Sequence, residues 1–146
     1  MTASIPSRRA VLVASLALLA SVQVAPAADS QKIRVSGTWA VTLVHTRLEG
    51  TRTGVASPGG PVDGVFSGKQ VKNDAWGVGV LDFGNGDTLT YDFEATYDPA
   101  INALVGTWVV TGGTGKYSGA TGGGTSFAPV TGPGTGEFEY VGTISF

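Results

Sequence analysis

The sequence predicts an all-β fold, an eight-stranded antiparallel β-barrel preceded by an export signal. Three observations predict it. Apolar residues recur at every second position over segment after segment, and no segment shows a 3.6-residue period. The 146 residues include 23 Gly and 7 Pro, about twice the usual share of glycine, and these punctuate the alternation every 10 to 15 residues. Charged residues make up only 14%, well below the usual quarter or so. An antiparallel sheet of this kind exposes two raw edges unless it closes on itself, so a barrel is favoured and a two-layer sandwich is the alternative.

The chain opens with a segment of another kind. Arg8 and Arg9 precede the apolar run from Ala10 to Val22, and Ala25-Pro26-Ala27 is a small-x-small cleavage site. This is the form of a signal peptide over residues 1–27. The run is shorter than the roughly 20 residues that a membrane helix needs. The paired arginines admit the twin-arginine route as an alternative to the general secretory one, and an uncleaved anchor is the alternative for the segment as a whole. The expectation is a secreted or periplasmic domain over 28–146 with no membrane association after cleavage.

Within 28–146 the strands follow in order. Over 32–48, Ile33, Val35, Gly37, Trp39, Val41, Leu43 and His45 share one face, and Ser36, Thr38, Thr42 and Thr46 share the other. A short strand over 52–57 leads to the turn Ser57-Pro58-Gly59-Gly60-Pro61. A third covers 62–72 and ends at Lys72-Asn73-Asp74. The fourth, 75–83, meets Phe83-Gly84-Asn85-Gly86-Asp87, where Asn-Gly accepts the positive φ of a hairpin turn. The fifth, 88–97, sets Leu89, Tyr91, Phe93, Ala95 and Tyr97 against Thr88, Thr90, Asp92, Glu94 and Thr96. Asp98-Pro99-Ala100 turns into a sixth strand over 103–111, and the last pair covers 122–129 and 135–146. Glycines inside these strands imply either sharp coiling or a lumen that the protein does not fill. Gly37-Thr38-Trp39-Ala40-Val41 is echoed by Gly106-Thr107-Trp108-Val109-Val110.

Composition also excludes whole classes of function. With 9 Lys+Arg against 11 Asp+Glu, there is no basic excess to displace counterions from a nucleic acid. The absence of Cys removes disulfides, thiolate metal ligands and thiol nucleophiles, and a single His removes multi-histidine metal sites. Neither a metal nor a cofactor is expected.

The run from Val109 to Gly122, with its core Val110-Thr111-Gly112-Gly113-Thr114-Gly115-Lys116-Tyr117, resembles the signature of the allene oxide cyclase and dirigent barrels. Those families carry Val-x-Gly-Gly-(Thr/Ser)-Gly-x-(Phe/Tyr) between two late strands. The ending Phe138-Glu139-Tyr140 is similar to the aromatic last strand of the cyclases. The resemblance implies an eight-stranded barrel, a trimer, an apolar lumen, and cofactor-free cyclase, isomerase or dirigent-type chemistry. Where the family has a first-strand Glu and Asn, this chain has Leu43 and His45. As a phosphate loop the run fails, because its spacing matches neither the dinucleotide nor the Walker pattern. Its glycines serve a tight turn instead, with Tyr117 expected to plug one end of the barrel.

The expected partner is therefore an apolar small molecule. His45, in register with the apolar face of the first strand, is the candidate proton carrier, because an imidazole donates or accepts near neutrality. Tyr91 and Tyr140 are candidates to hold or protonate a substrate oxygen. Trp39, Leu43, Phe93, Tyr97, Trp108 and Phe138 are expected to line the lumen and bind substrate. A non-catalytic carrier would use the same wall, and a purely structural barrel would fill it. Asp92 and Glu94 alternate with threonines and belong to a solvated outer face. Arg47 and Glu49 read as a surface ion pair.

Overall fold

A computed structural model describes residues 29–146. The segment 1–27, expected to be the export signal, lies outside the described residues. Eight strands form a closed antiparallel barrel in sequence order, with the first strand pairing the last. They are β1 (Ser30–Val44), β2 (Arg47–Ser57), β3 (Gly60–Val71), β4 (Asp74–Asp82), β5 (Thr88–Asp98), β6 (Ala103–Thr114), β7 (Thr121–Gly132) and β8 (Thr135–Ser145). A single 3-10 turn, Gly115–Tyr117, interrupts the path from β6 to β7. Closure gives each strand two hydrogen-bonded neighbours, so no edge is left open.

Period-two alternation decides which side chains face inward. Ile33, Val35 and Trp39 of β1, Leu89, Tyr91 and Phe93 of β5, and Phe138, Tyr140 and Ile144 of β8 are all buried. Thr90 and Asp92 of β5 alternate with them on the outside, and Asp92 and Glu94 are exposed as expected.

The interior glycines serve close strand approach. Gly37 lies opposite Gly54, Gly68 opposite Gly77, and Gly124 opposite Gly142. A Cβ on Gly37 would overlap the Thr53 carbonyl, and one on Gly77 the Ser67 carbonyl. Other inward glycines accept a ring from the next strand. The Phe66 ring occupies the space a Cβ would take on Gly50, Tyr91 that of Gly79, and Trp39 that of Gly136. Sharp coiling and ring packing thus account for most of the glycines.

The two ends of the barrel differ. At the lower end, where β2–β3, β4–β5 and β6–β7 connect, Tyr117 is 1% exposed. Its ring packs on Phe83 at 4.8 Å and on Phe146 at 5.0 Å. The Gly-rich run acts as a plug holder: Gly115 has φ +60° and Gly119 φ +75°, and Asp87 accepts the Lys116 N–H at 2.9 Å. Leu81, Leu89, Val35 and Ile144 fill the space above the plug. At the upper end the connections are short. Residues 45–46 join β1 to β2, 72–73 join β3 to β4, and 133–134 join β7 to β8.

One expectation fails here. The first strand does not continue to 48. It stops at Val44, and His45 takes φ +56° in a two-residue turn. His45 is exposed on the rim instead of facing the lumen. Leu43, expected in the wall, is 46% exposed at the same end. Val44 pairs with Arg47 across the turn, so the chain reverses before His45 can face the interior.

Candidate functional site

The upper half of the lumen is not filled by side chains. A recess of about 100 Å³ lies between Trp39, Val41, Leu48, Phe66, Ala75, Phe93, Ala95, Leu104 and Ala128, with Arg52, Gln70, Ser126 and Tyr140 supplying its polar atoms. A wider mouth of about 570 Å³ shares Trp39, Val41, Gln70 and Leu104 with it and adds Leu43, Tyr97, Val130 and Pro133. Small residues make the room, because Ala75, Ala95 and Ala128 stand where larger side chains would meet.

The wall is held rigidly. The Trp39 indole N–H donates to the Glu137 carbonyl at 2.9 Å, and that of Trp108 to the Thr125 carbonyl at 3.1 Å. The sequence echo around these two tryptophans is therefore a structural one, with each ring fixed to a neighbouring strand. Trp108 stacks on Tyr140 at 5.8 Å and 14°, while Phe138 and Tyr91 meet Tyr140 edge-on at 5.5 and 5.6 Å. Phe66 and Phe93 make a T-shaped pair at 6.0 Å. Such edge-to-face and offset arrangements are the favoured ones for aromatic quadrupoles.

Arg52 stands at the centre of these rings. It belongs to the inward set Leu48, Gly50, Arg52, Gly54 and Ala56 of β2, and the glycines beside it leave space for its side chain. Its guanidinium carbon lies 4.3 Å from the centre of the Phe66 ring and 4.8 Å from that of Tyr140. The rings of Phe138, Tyr91 and Phe93 follow at 5.4, 5.8 and 5.8 Å. A cation so placed is attracted by the negative π faces. Arg52 also donates a hydrogen bond to the Tyr91 hydroxyl.

No carboxylate answers this charge. Among the described residues the ion pairs are Arg34–Glu139 and Arg47–Glu49, both on the outer surface, the second as expected. The Arg52 Nε is buried without an acceptor. Burial pushes the Tyr140 hydroxyl well above the ordinary tyrosine range. The Arg52 charge pulls it back in part, and the adjacent Tyr91 hydroxyl adds to the rise. Tyr140 is accordingly a neutral hydroxyl at physiological pH, able to donate to an oxygen but not to take a proton.

Of the residues expected from sequence, the structure brings together Tyr91, Tyr140, Trp39, Phe93, Trp108 and Phe138. Tyr97 sits at the mouth, its hydroxyl donating to Asn102 Oδ1 at 2.8 Å. His45 stays on the rim, and Leu43 lines the mouth with Tyr97. Sequence reasoning missed Arg52, together with Gln70 and Ser126. The signal for Arg52 was its place between two glycines at inward spacing.

No family model matches the chain, and no curated protein or solved structure matches it either.

Proposed function

We propose that the protein takes an apolar small molecule into the open upper half of its lumen and holds it in one folded conformation, so that a cofactor-free isomerisation or cyclisation follows. The observation that carries this reading is the recess itself, with apolar and aromatic walls around Arg52 and Tyr140. A rigid cavity of this kind selects one conformer of a flexible substrate and excludes water. Arg52 and the tyrosine hydroxyls would stabilise negative charge developing on a substrate oxygen in a medium of low dielectric. The resemblance of the 109–122 run to the cyclase and dirigent barrels supports the same chemistry.

A carrier is the second reading. It is favoured by the chemistry of the recess, whose lining includes no carboxylate and no imidazole, so a step that needs a strong base has none there. Native mass spectrometry of protein purified from its own host identifies the bound molecule. Release of that molecule, followed by incubation with fresh protein, separates the readings: a rearranged product supports the enzyme, and an unchanged molecule supports the carrier. If nothing co-purifies and Ala128→Trp, which fills the recess, changes no binding of apolar compounds, both readings fail.

A further inference from the structure

We propose that the molecule bound in the recess carries a carboxylate, and that Arg52 is the residue that recognises it. The inference rests on the lumen reading above and deepens it by naming the ligand's polar group. Arg52 is half-buried and lines the recess, and it takes part in neither ion pair found among the described residues. The five rings around it satisfy its π-facing surfaces only. An in-plane N–H, that of Nε, remains buried without an acceptor. Guanidinium donors lie in the plane of the group, and a carboxylate meets two of them side by side. The alanine-lined upper part of the recess suits an apolar body.

The arrangement also argues against a neutral ligand. An amide or an alcohol leaves the cation in the lumen with its charge unanswered, whereas a carboxylate cancels it. The preference should therefore follow the charge and not the shape of the ligand.

The test uses matched probes on the purified protein: hexanoate, octanoate and 3-phenylpropionate, each against its primary amide, by isothermal titration calorimetry. The expected result is that at least one acid binds tighter than its amide by about tenfold or more, the size expected for a charge-assisted hydrogen bond. Arg52→Gln should bring acid and amide to the same affinity while leaving the amide nearly unchanged. Arg52→Lys should keep a reduced preference, because the charge remains and the fork is lost. Equal binding of acid and amide to the unaltered protein overturns the inference and leaves the lumen reading intact. A preference that persists in Arg52→Gln overturns it as well. Should Arg52→Gln fail to fold, the comparison in the unaltered protein and in Arg52→Lys decides: Arg52→Lys should weaken the acid more than the amide, and equal weakening counts against the proposal. If no acid and no amide binds, the inference and the lumen reading fall together.

Discussion

Replacing Arg52 by Met and Tyr91 by Phe together should make the empty barrel more stable. The reasoning sets opposed contributions against each other. Arg52 is half-buried, so its guanidinium bears part of the several kcal/mol that leaving water costs, and its buried N–H without an acceptor costs about 1–3 kcal/mol more. Against this, the five surrounding rings return about 2 kcal/mol, and the bond to the Tyr91 hydroxyl about 1.5–3 kcal/mol. The balance is a net cost of about 1–3 kcal/mol carried by the native side chains. Met keeps most of the aliphatic volume beside Phe66, and Phe at 91 removes the hydroxyl that accepts from Arg52. For a domain of this size the gain corresponds to a rise in Tm of roughly 4–12 °C. The measurement is thermal and urea unfolding of protein stripped of ligand by denaturation and refolding, since a bound molecule would stabilise the native form by mass action. A double variant less stable than the parent by 1 kcal/mol or more would refute the reasoning, because Arg52 would then be holding the barrel together.

The other predictions concern the strands, the tyrosine and the rim. Gly37→Ala should lose about 3 kcal/mol or more in urea unfolding, since the new methyl meets the Thr53 carbonyl. Gly112→Ala, where a Cβ meets nothing within 4 Å, should change stability by less than about 1 kcal/mol. Tyr140 has a raised folded-state pKa, so the folded form holds its proton more tightly than the unfolded chain. Its contribution is full below the unfolded value of about 10 and is lost as pH climbs from there towards the folded value, and Tyr140→Phe should flatten that alkaline fall in a pH series of unfolding curves. His45→Gly should raise stability by about 1 kcal/mol through relief of the left-handed backbone at φ +56°, and should leave ligand binding unchanged in calorimetry.

Most of the fold was legible because alternation and turn chemistry are local. The Asn85-Gly86 hairpin is an example. Gly84, Asn85 and Gly86 all take positive φ, and the Phe83 N–H bonds the Asp87 carbonyl at 2.9 Å, as the residue types require. The inward faces of β5 and β8 were equally plain, which is why Tyr91, Phe93, Phe138 and Tyr140 were found. The glycines were ambiguous for a physical reason. A missing side chain signals that something comes close, but not whether that something is a ligand, a ring or the next strand. Here it is mostly rings and strands, and only the alanine-lined upper half is left for a guest.

The exchange of His45 for Arg52 has a single cause. Side-chain parity along a strand persists only until the chain turns, and one misplaced turn reverses every later assignment. The His45-Thr46 turn contains no Gly, Pro, Asn or Asp, so nothing local announced it. Counting on from Val41 therefore carried His45 inward and left residues 47–51 without a face. Once the turn is placed, parity restarts at Arg47, and Leu48, Gly50, Arg52, Gly54 and Ala56 become the inner set of β2. The residue gained differs in kind from the one lost. An imidazole offers ring nitrogens that can donate or accept, whereas a guanidinium offers donors only. The chemistry proposed for the lumen thereby shifts from proton transfer to anion recognition. The ligand's charge, more than its shape, becomes the property on which an experiment has most to say.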